Sequence, residues 1–199
     1  MLQAASGLRT LEQAKDLVNA LPPTELSKRN REALHQMRVP DTVANRFLEN
    51  RLLSPRHQTV IVEAMKALLR VPGRPAFTQY AARADSEDTA LLFQEMAELL
   101  ADYHRSVAPI RRLDIYQNVP VAYTDQGSAI ILLPIDRLLW TERTSGIATS
   151  LAQTLPKPQP VRKVEVWITG DASDRAREGL QQLGVTLVEH VGQRLPVLD

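Results

Sequence analysis

Cysteine is absent from the chain, which removes a thiol nucleophile, a disulfide framework and any zinc or iron–sulfur centre built on thiolates. The absence leaves the compartment open, because a disulfide-free protein suits cytosol and periplasm alike. At 199 residues the chain is long enough to bury an ordinary core without such staples. No run of about 18 apolar residues occurs, so no segment reads as a membrane-spanning helix. The opening Met1–Arg9 lacks the basic start and apolar stretch of a secretory signal. On that reading the protein is cytoplasmic if the chain is complete, or periplasmic if a leader has been removed.

A strong field of either sign is also missing. The net charge is +1, too little to draw the whole molecule onto nucleic acid or an anionic membrane. Aromatic residues make up 5% of the chain, and Phe47 is the only one between Leu26 and Arg74. Bases would have little to stack on, so nucleic acid is not an expected partner. Lysine is scarce, at five against 19 arginines; with abundant Ala and Leu this is the drift of a GC-rich bacterial genome.

What is present is dense helix punctuation. Thr10 with Gln13 forms a capping box ahead of a stripe from Leu11 to Leu21, which Pro22-Pro23 stops. A second helix is expected over Thr24–Met37, and a third after Pro40 with Asp41 as its N-cap. Ser54-Pro55 opens a fourth, a cap followed by proline where the missing N–H costs nothing. Its buried stripe reads Val60, Ile61, Ala64, Met65, Leu68 and Leu69. After the Val71–Pro75 break comes a short helix to Ala84, then a long one from Asp85 to about Val107 with Leu91, Leu92, Met96, Leu99, Leu100 and Tyr103 inward.

Past Pro109 the period changes. Leu113–Tyr116 and Val119–Tyr123 read as strands, Asp125-Gln126-Gly127 as a hairpin turn, and Ser128–Leu133 as a strand buried on both faces. A helix follows over Thr141–Leu155, then the stiff linker Pro156–Pro160. The chain closes on strand Val164–Ile168, a helix capped by Ser173 and ended by Gly184, and strand Val185–Val188. The expected fold is α+β. A helical region of about five helices covers 1–109, and a small α/β region in the order β-β-β-α-β-α-β covers 110–199, either as two units or packed as one domain.

The terminal strand–helix–strand unit supplies the candidate site. A crossover between parallel strands places their carboxyl ends on one edge, bringing Thr169, Gly170, Asp171 and Ser173 towards His190, Gly192, Gln193 and Arg194. Ligands of open α/β sheets bind at that edge, and a helix N-terminus there favours an anion. The competing reading is structural: Ser173 caps a helix, Gly184 ends it, and Asp171 serves a turn. One glycine and no lysine in the loop exclude a dinucleotide fingerprint and a phosphate loop.

Elsewhere, Glu95, Glu98 and Asp102 share one helix face with His104 nearby, but no Glu-x-x-His and no second ligand-bearing helix accompany them, so they read as a solvated acidic face. The four histidines, His35, His57, His104 and His190, are scattered, and no serine sits in a Gly-x-Ser-x-Gly elbow. Leu26–Arg74 holds ten basic and four acidic residues, a basic surface or the complement of a packed neighbour. The residues therefore point away from an enzyme, with no cofactor and no metal expected. The expected function is a non-catalytic bacterial interaction or scaffold protein with a protein partner, a second copy included. The alternative is a small-anion or nucleotide-type ligand, enzymatic or not, held at the terminal edge by Thr169, Gly170, Asp171, Ser173, His190 and Arg194.

Overall fold

The computed structural model of the chain describes residues 14–155, 161–193 and 195. The Thr10–Gln13 capping box and the Pro156–Pro160 linker lie outside them. After a helix α1 through residues 14–20 come α2 (Pro23–Gln36), α3 (Asp41–Glu49), α4 (Pro55–Ala67), α5 (Arg74–Ala81) and α6 (Glu87–Ser106). Then follow β1 (Ile110–Tyr116), β2 (Val119–Thr124), β3 (Ser128–Leu133), β4 (Arg137–Leu138), α7 (Glu142–Thr154), β5 (Lys163–Ile168), β6 (Asp171–Ala172), α8 (Asp174–Gln182) and β7 (Val185–Val188), closed by a 3₁₀ turn at Val191–Gln193. The fold is α+β as the sequence implied.

The local signals act where they stand. Ser54 Oγ accepts the His57 N–H at 3.2 Å with Pro55 as the first helical residue. Ser86 caps α6 in a reciprocal box with Thr89: its Oγ accepts the Thr89 N–H and its own N–H donates to Thr89 Oγ1. At α3 the cap position falls on Pro40, and Asp41 is the first helical residue with no side-chain cap bond, where its charge meets the positive end of the helix.

Five strands form one sheet in the order β1-β2-β3-β5-β7. The first three are antiparallel; β3, β5 and β7 are parallel. Between β1 and β2, Gln117 and Asn118 both have positive φ, at 49° and 61°, the requirement of a two-residue turn that follows the strand twist. Tyr80 Oη donates to the Asn118 carbonyl and Arg83 to its side-chain oxygen, so α5 clamps that turn.

Alternation along the strands divides the core. Ala122, Ile130, Leu132 and Trp167 join the helices α2–α6 in one hydrophobic cluster, while Val121, Ala129, Ile131, Val164, Val166 and Ile168 face a second cluster with α7 and α8. The sheet is thus covered on both sides, which explains the continuous apolar run of β3. Val191 and Leu195 return across to the helical cluster and are fully buried.

Burial corrects three readings. Leu69 lies past the end of α4 and is 71% exposed, and Leu91 also faces out. Glu98 and Asp102 are buried rather than solvated, because α6 is covered by α4 on one side and reaches the sheet on another. Gln94 Nε2 donates to Glu98 Oε1 at 3.1 Å, and Arg105 pairs with Asp102. Burial raises the Asp102 pKa against the opposing pull of Arg105.

The same burial acts on histidine. His104 Nδ1 accepts the Ile110 N–H at 2.9 Å, and burial, reinforced by Arg105, lowers its pKa. His57 is lowered chiefly by burial as well. A folded pKa below the unfolded value of about 6.5 means that protonation favours the unfolded chain, so this stability is complete above the unfolded pKa and is lost as pH falls through the folded one. Urea midpoints should be lower at pH 5.5 than at pH 7.5. His104→Asn, which keeps an acceptor without a titrating ring, should shrink that difference; an unchanged difference would place its origin elsewhere.

Candidate functional site

The carboxyl edge of the parallel strands carries a second, smaller layer of backbone. Residues 135–138 cross it, and β4 pairs in parallel with β6 through Arg137↔Asp171 and Leu138↔Ala172. The N–H groups of Thr169, Gly170, Asp171 and Ser173 donate to the carbonyls of Leu133, Ile135, Asp136 and Leu138, at 3.3, 2.9, 2.9 and 2.9 Å. The Ala172 N–H donates to Glu189 Oε1 at 2.7 Å. Five consecutive donors are therefore satisfied within the chain. Asp171 belongs to a strand, not to a turn.

Gly170 makes this closure possible. A Cβ there would stand 2.0 Å from the Asp136 carbonyl oxygen. Thr169 turns its hydroxyl inward to the Ile135 carbonyl at 3.0 Å. Ser173 caps α8, its Oγ accepting the Ala176 N–H at 3.3 Å. Ser173→Ala should cost about 1 kcal/mol in a urea titration, the usual worth of such a cap; no change would mean that the cap bond contributes nothing.

His190 arrives from the other side of the edge with φ at 57°, its N–H donating to the Gly170 carbonyl at 3.3 Å. Its Nε2 stands 3.2 Å from Asp171 Oδ1, with both side chains more than half exposed. A Cβ at Gly192 would come within 3.9 Å of the Thr169 side chain, an ordinary contact. Gln193 ends the 3₁₀ turn. Arg194 lies outside the described residues. The edge thus unites Thr169, Gly170, Asp171, Ser173 and His190, but only Asp171 and His190 present side chains to solvent as a pair.

Sequence reasoning missed Glu189. Its carboxylate receives Arg177 through Nε at 3.0 Å and Nη2 at 2.9 Å in addition to Ala172. Arg177 first, then the Ala172 N–H, lowers its pKa, so its contribution is present above the ordinary carboxylate range and lost as pH falls through the folded value. Nothing in the spacing of Arg177 and Glu189, twelve positions apart, signals a fork that only the α8 to β7 return brings together.

No family model, curated protein or solved structure matches the chain. The chemistry has to be read from the residues alone. Among the described residues, no group of three or more His, Asp or Glu side chains is placed to hold a metal ion, and no helix is long and apolar enough to cross a membrane.

A concavity lies between the sheet and α7. It measures about 220 Å³ and no polar atom reaches its wall. Helix α7 buries only Leu151 of its own length, with Leu155 buried at its end. Tyr116 Oη bonds Ser150 and Thr154, and Gln117 reaches Ser150, all in the second half of the helix. The first half is held by the Thr141–Thr144 box alone among these bonds. Gly179 of α8 receives the Trp140 ring, which a Cβ would meet at 2.3 Å.

Proposed function

We propose that this is a non-catalytic bacterial interaction protein that engages a protein partner through the outer surface of its helical layer. The observation that carries the reading is the end of α4. Leu69 is 71% exposed and is followed by Arg70 at φ 65°, a conformation that disfavours any residue with a Cβ by about 1 kcal/mol or more. An apolar side chain held out on such a turn supplies area that a partner can bury, and the arginine beside it is a residue type enriched at interfaces. Arg38, after α2, adopts the same conformation at φ 59°.

A photo-crosslinking amino acid at position 69 should capture one discrete protein in the source cell, or a second copy of the chain. Adding Arg70→Glu should reduce the yield at least tenfold, while the same probe at Leu139, exposed at the far side of the sheet, should capture nothing in common. A smear, or an identical pattern from both positions, defeats the proposal.

The Asp171–His190 pair supports a second reading, a small-anion or nucleotide-type ligand held by Thr169, Ser173, His190 and Arg194 with Asp171 as acid or base. The ligand would depend on side chains, because the neighbouring N–H groups are engaged. A thermal-shift panel of phosphates, nucleotides and carboxylates tests it: stabilisation that disappears in His190→Ala supports the site, and silence across the panel removes it.

A further inference from the structure

We propose that the cavity between the first half of α7 and the sheet is a binding site for an uncharged hydrocarbon group, a single aromatic ring or a short alkyl chain. The proposal is independent of the helical-layer interaction. Ile131, Val164 and Val166 of the sheet form the floor and Ile147 and Ala148 of α7 the roof, with Trp140 also in the lining. The one hydroxyl at the wall, that of Thr144, is turned away and donates to the Leu139 carbonyl at 2.6 Å. Nothing inside could receive a charge or an unpaired hydrogen-bonding group, which fixes the class of ligand. Size fixes its scale, since a dry apolar cavity of about 150 Å³ already takes up benzene and this one is about 220 Å³.

The concavity is partly open to solvent, so a ligand can enter it from the surface. Ala148 is the small residue of the roof, set against a floor of β-branched ones, and Gly146 lies on the exposed side of the same helix. Gly146 has open space where a Cβ would stand, so packing does not demand glycine there, and glycine inside a helix weakens it relative to alanine. The second half of α7 is pinned by Leu151, Leu155 and the Tyr116 hydroxyl, whereas the hydrogen bonds of its first half, to Leu139 and within the Thr141–Thr144 box, are local.

The test is thermal unfolding of the full chain with benzene and with 1-hexanol, alongside methyl-labelled NMR of the same samples. At a hundredfold excess over Kd the midpoint should rise by about 5–10 °C for a chain of this size. The methyls of Ile131 and Ile147 should shift while those of Ile61, in the helical core, stay in place. Ala148→Phe, which fills the roof, should abolish both responses. Unmoved Ile131 and Ile147 methyls, or an Ala148→Phe protein that responds like the original, overturns the proposal. Should that variant fail to fold, the methyl shifts of the unsubstituted chain decide, as Ile131 and Ile147 either move selectively or do not.

Discussion

Gly170→Ala should lower stability by about 3 kcal/mol, a large change for the addition of one methyl group. The new Cβ would meet the Asp136 carbonyl oxygen at 2.0 Å, its carbon at 2.5 Å and its Cα at 2.7 Å. All three are backbone atoms, so no side chain can rotate out of the way. Residues 135–138 have to withdraw, and with them go the bonds from Gly170, Asp171 and Ser173 to Ile135, Asp136 and Leu138, each worth about 1 kcal/mol net. In a domain of this size that corresponds to a midpoint drop of roughly 6–12 °C.

Gly146→Ala makes the same chemical change in the opposite setting. Its Cβ enters open space inside a helix, and the gain should be about 0.5–1 kcal/mol. Urea titrations of the two variants should therefore move in opposite directions. If Gly170→Ala unfolds within 0.5 kcal/mol of the original, roughly the scatter of surface substitutions, the 135–138 strap is not held as described.

Trp167→Ala should cost about 3–5 kcal/mol. The indole lies on the helical face of β5, packed edge-on against Tyr103 with ring centres 5.1 Å apart. Its Nε1 donates to Glu165 Oε2 at 3.1 Å, one of the contacts that let a carboxylate stay buried in the sheet. Burial and that nearby carboxylate together push the Tyr103 hydroxyl up to about 12. Truncation leaves a cavity between α6 and the sheet and removes a donor from a buried charge. Trp167→Phe keeps most of the ring and loses only the donor, so it should cost about 1–3 kcal/mol. Equal losses for the two variants would show that the Glu165 bond, rather than the packing, dominates; two negligible losses would contradict the burial itself.

Much of the architecture was legible because its signals are local. Ser54-Pro55, Ser173 and Gly184 mark helix ends through bonds or backbone angles that involve only neighbouring residues. The limits of β3 follow from one apolar run bounded by a glycine turn on one side and Pro134 on the other. The exposed Leu69 and the buried Glu98 were misread for a common reason. Helical spacing assigns a residue to a face, but which faces are covered depends on elements far away in the chain. Leu69 continues the stripe of α4 one step beyond the point where the helix stops, and Glu98 lies on a polar face that α4 and the sheet happen to enclose.

The candidate edge shows the same division at closer range. Its membership came from two parallel strands and a connecting helix, all visible as patterns. Its closure did not, because β4 and β6 are two residues each and pair across 34 positions, too short to carry a period and too far apart to announce one another. The cavity beneath α7 was equally hidden, since a stripe of Ile147, Ala148, Leu151 and Leu155 says that a helix faces the sheet but not how closely it sits.

By itself the sequence determined the fold class, the order of the main elements and the ends of most helices, because those depend on free energies set within a turn or two of chain. Only the tertiary structure decided which helices cover each face of the sheet, that the carboxyl edge is strapped by its own backbone, and that an apolar cavity remains under α7. Each of these is a contact between segments that neither propensity nor spacing relates, and each is set by which surfaces the whole chain can bury at once.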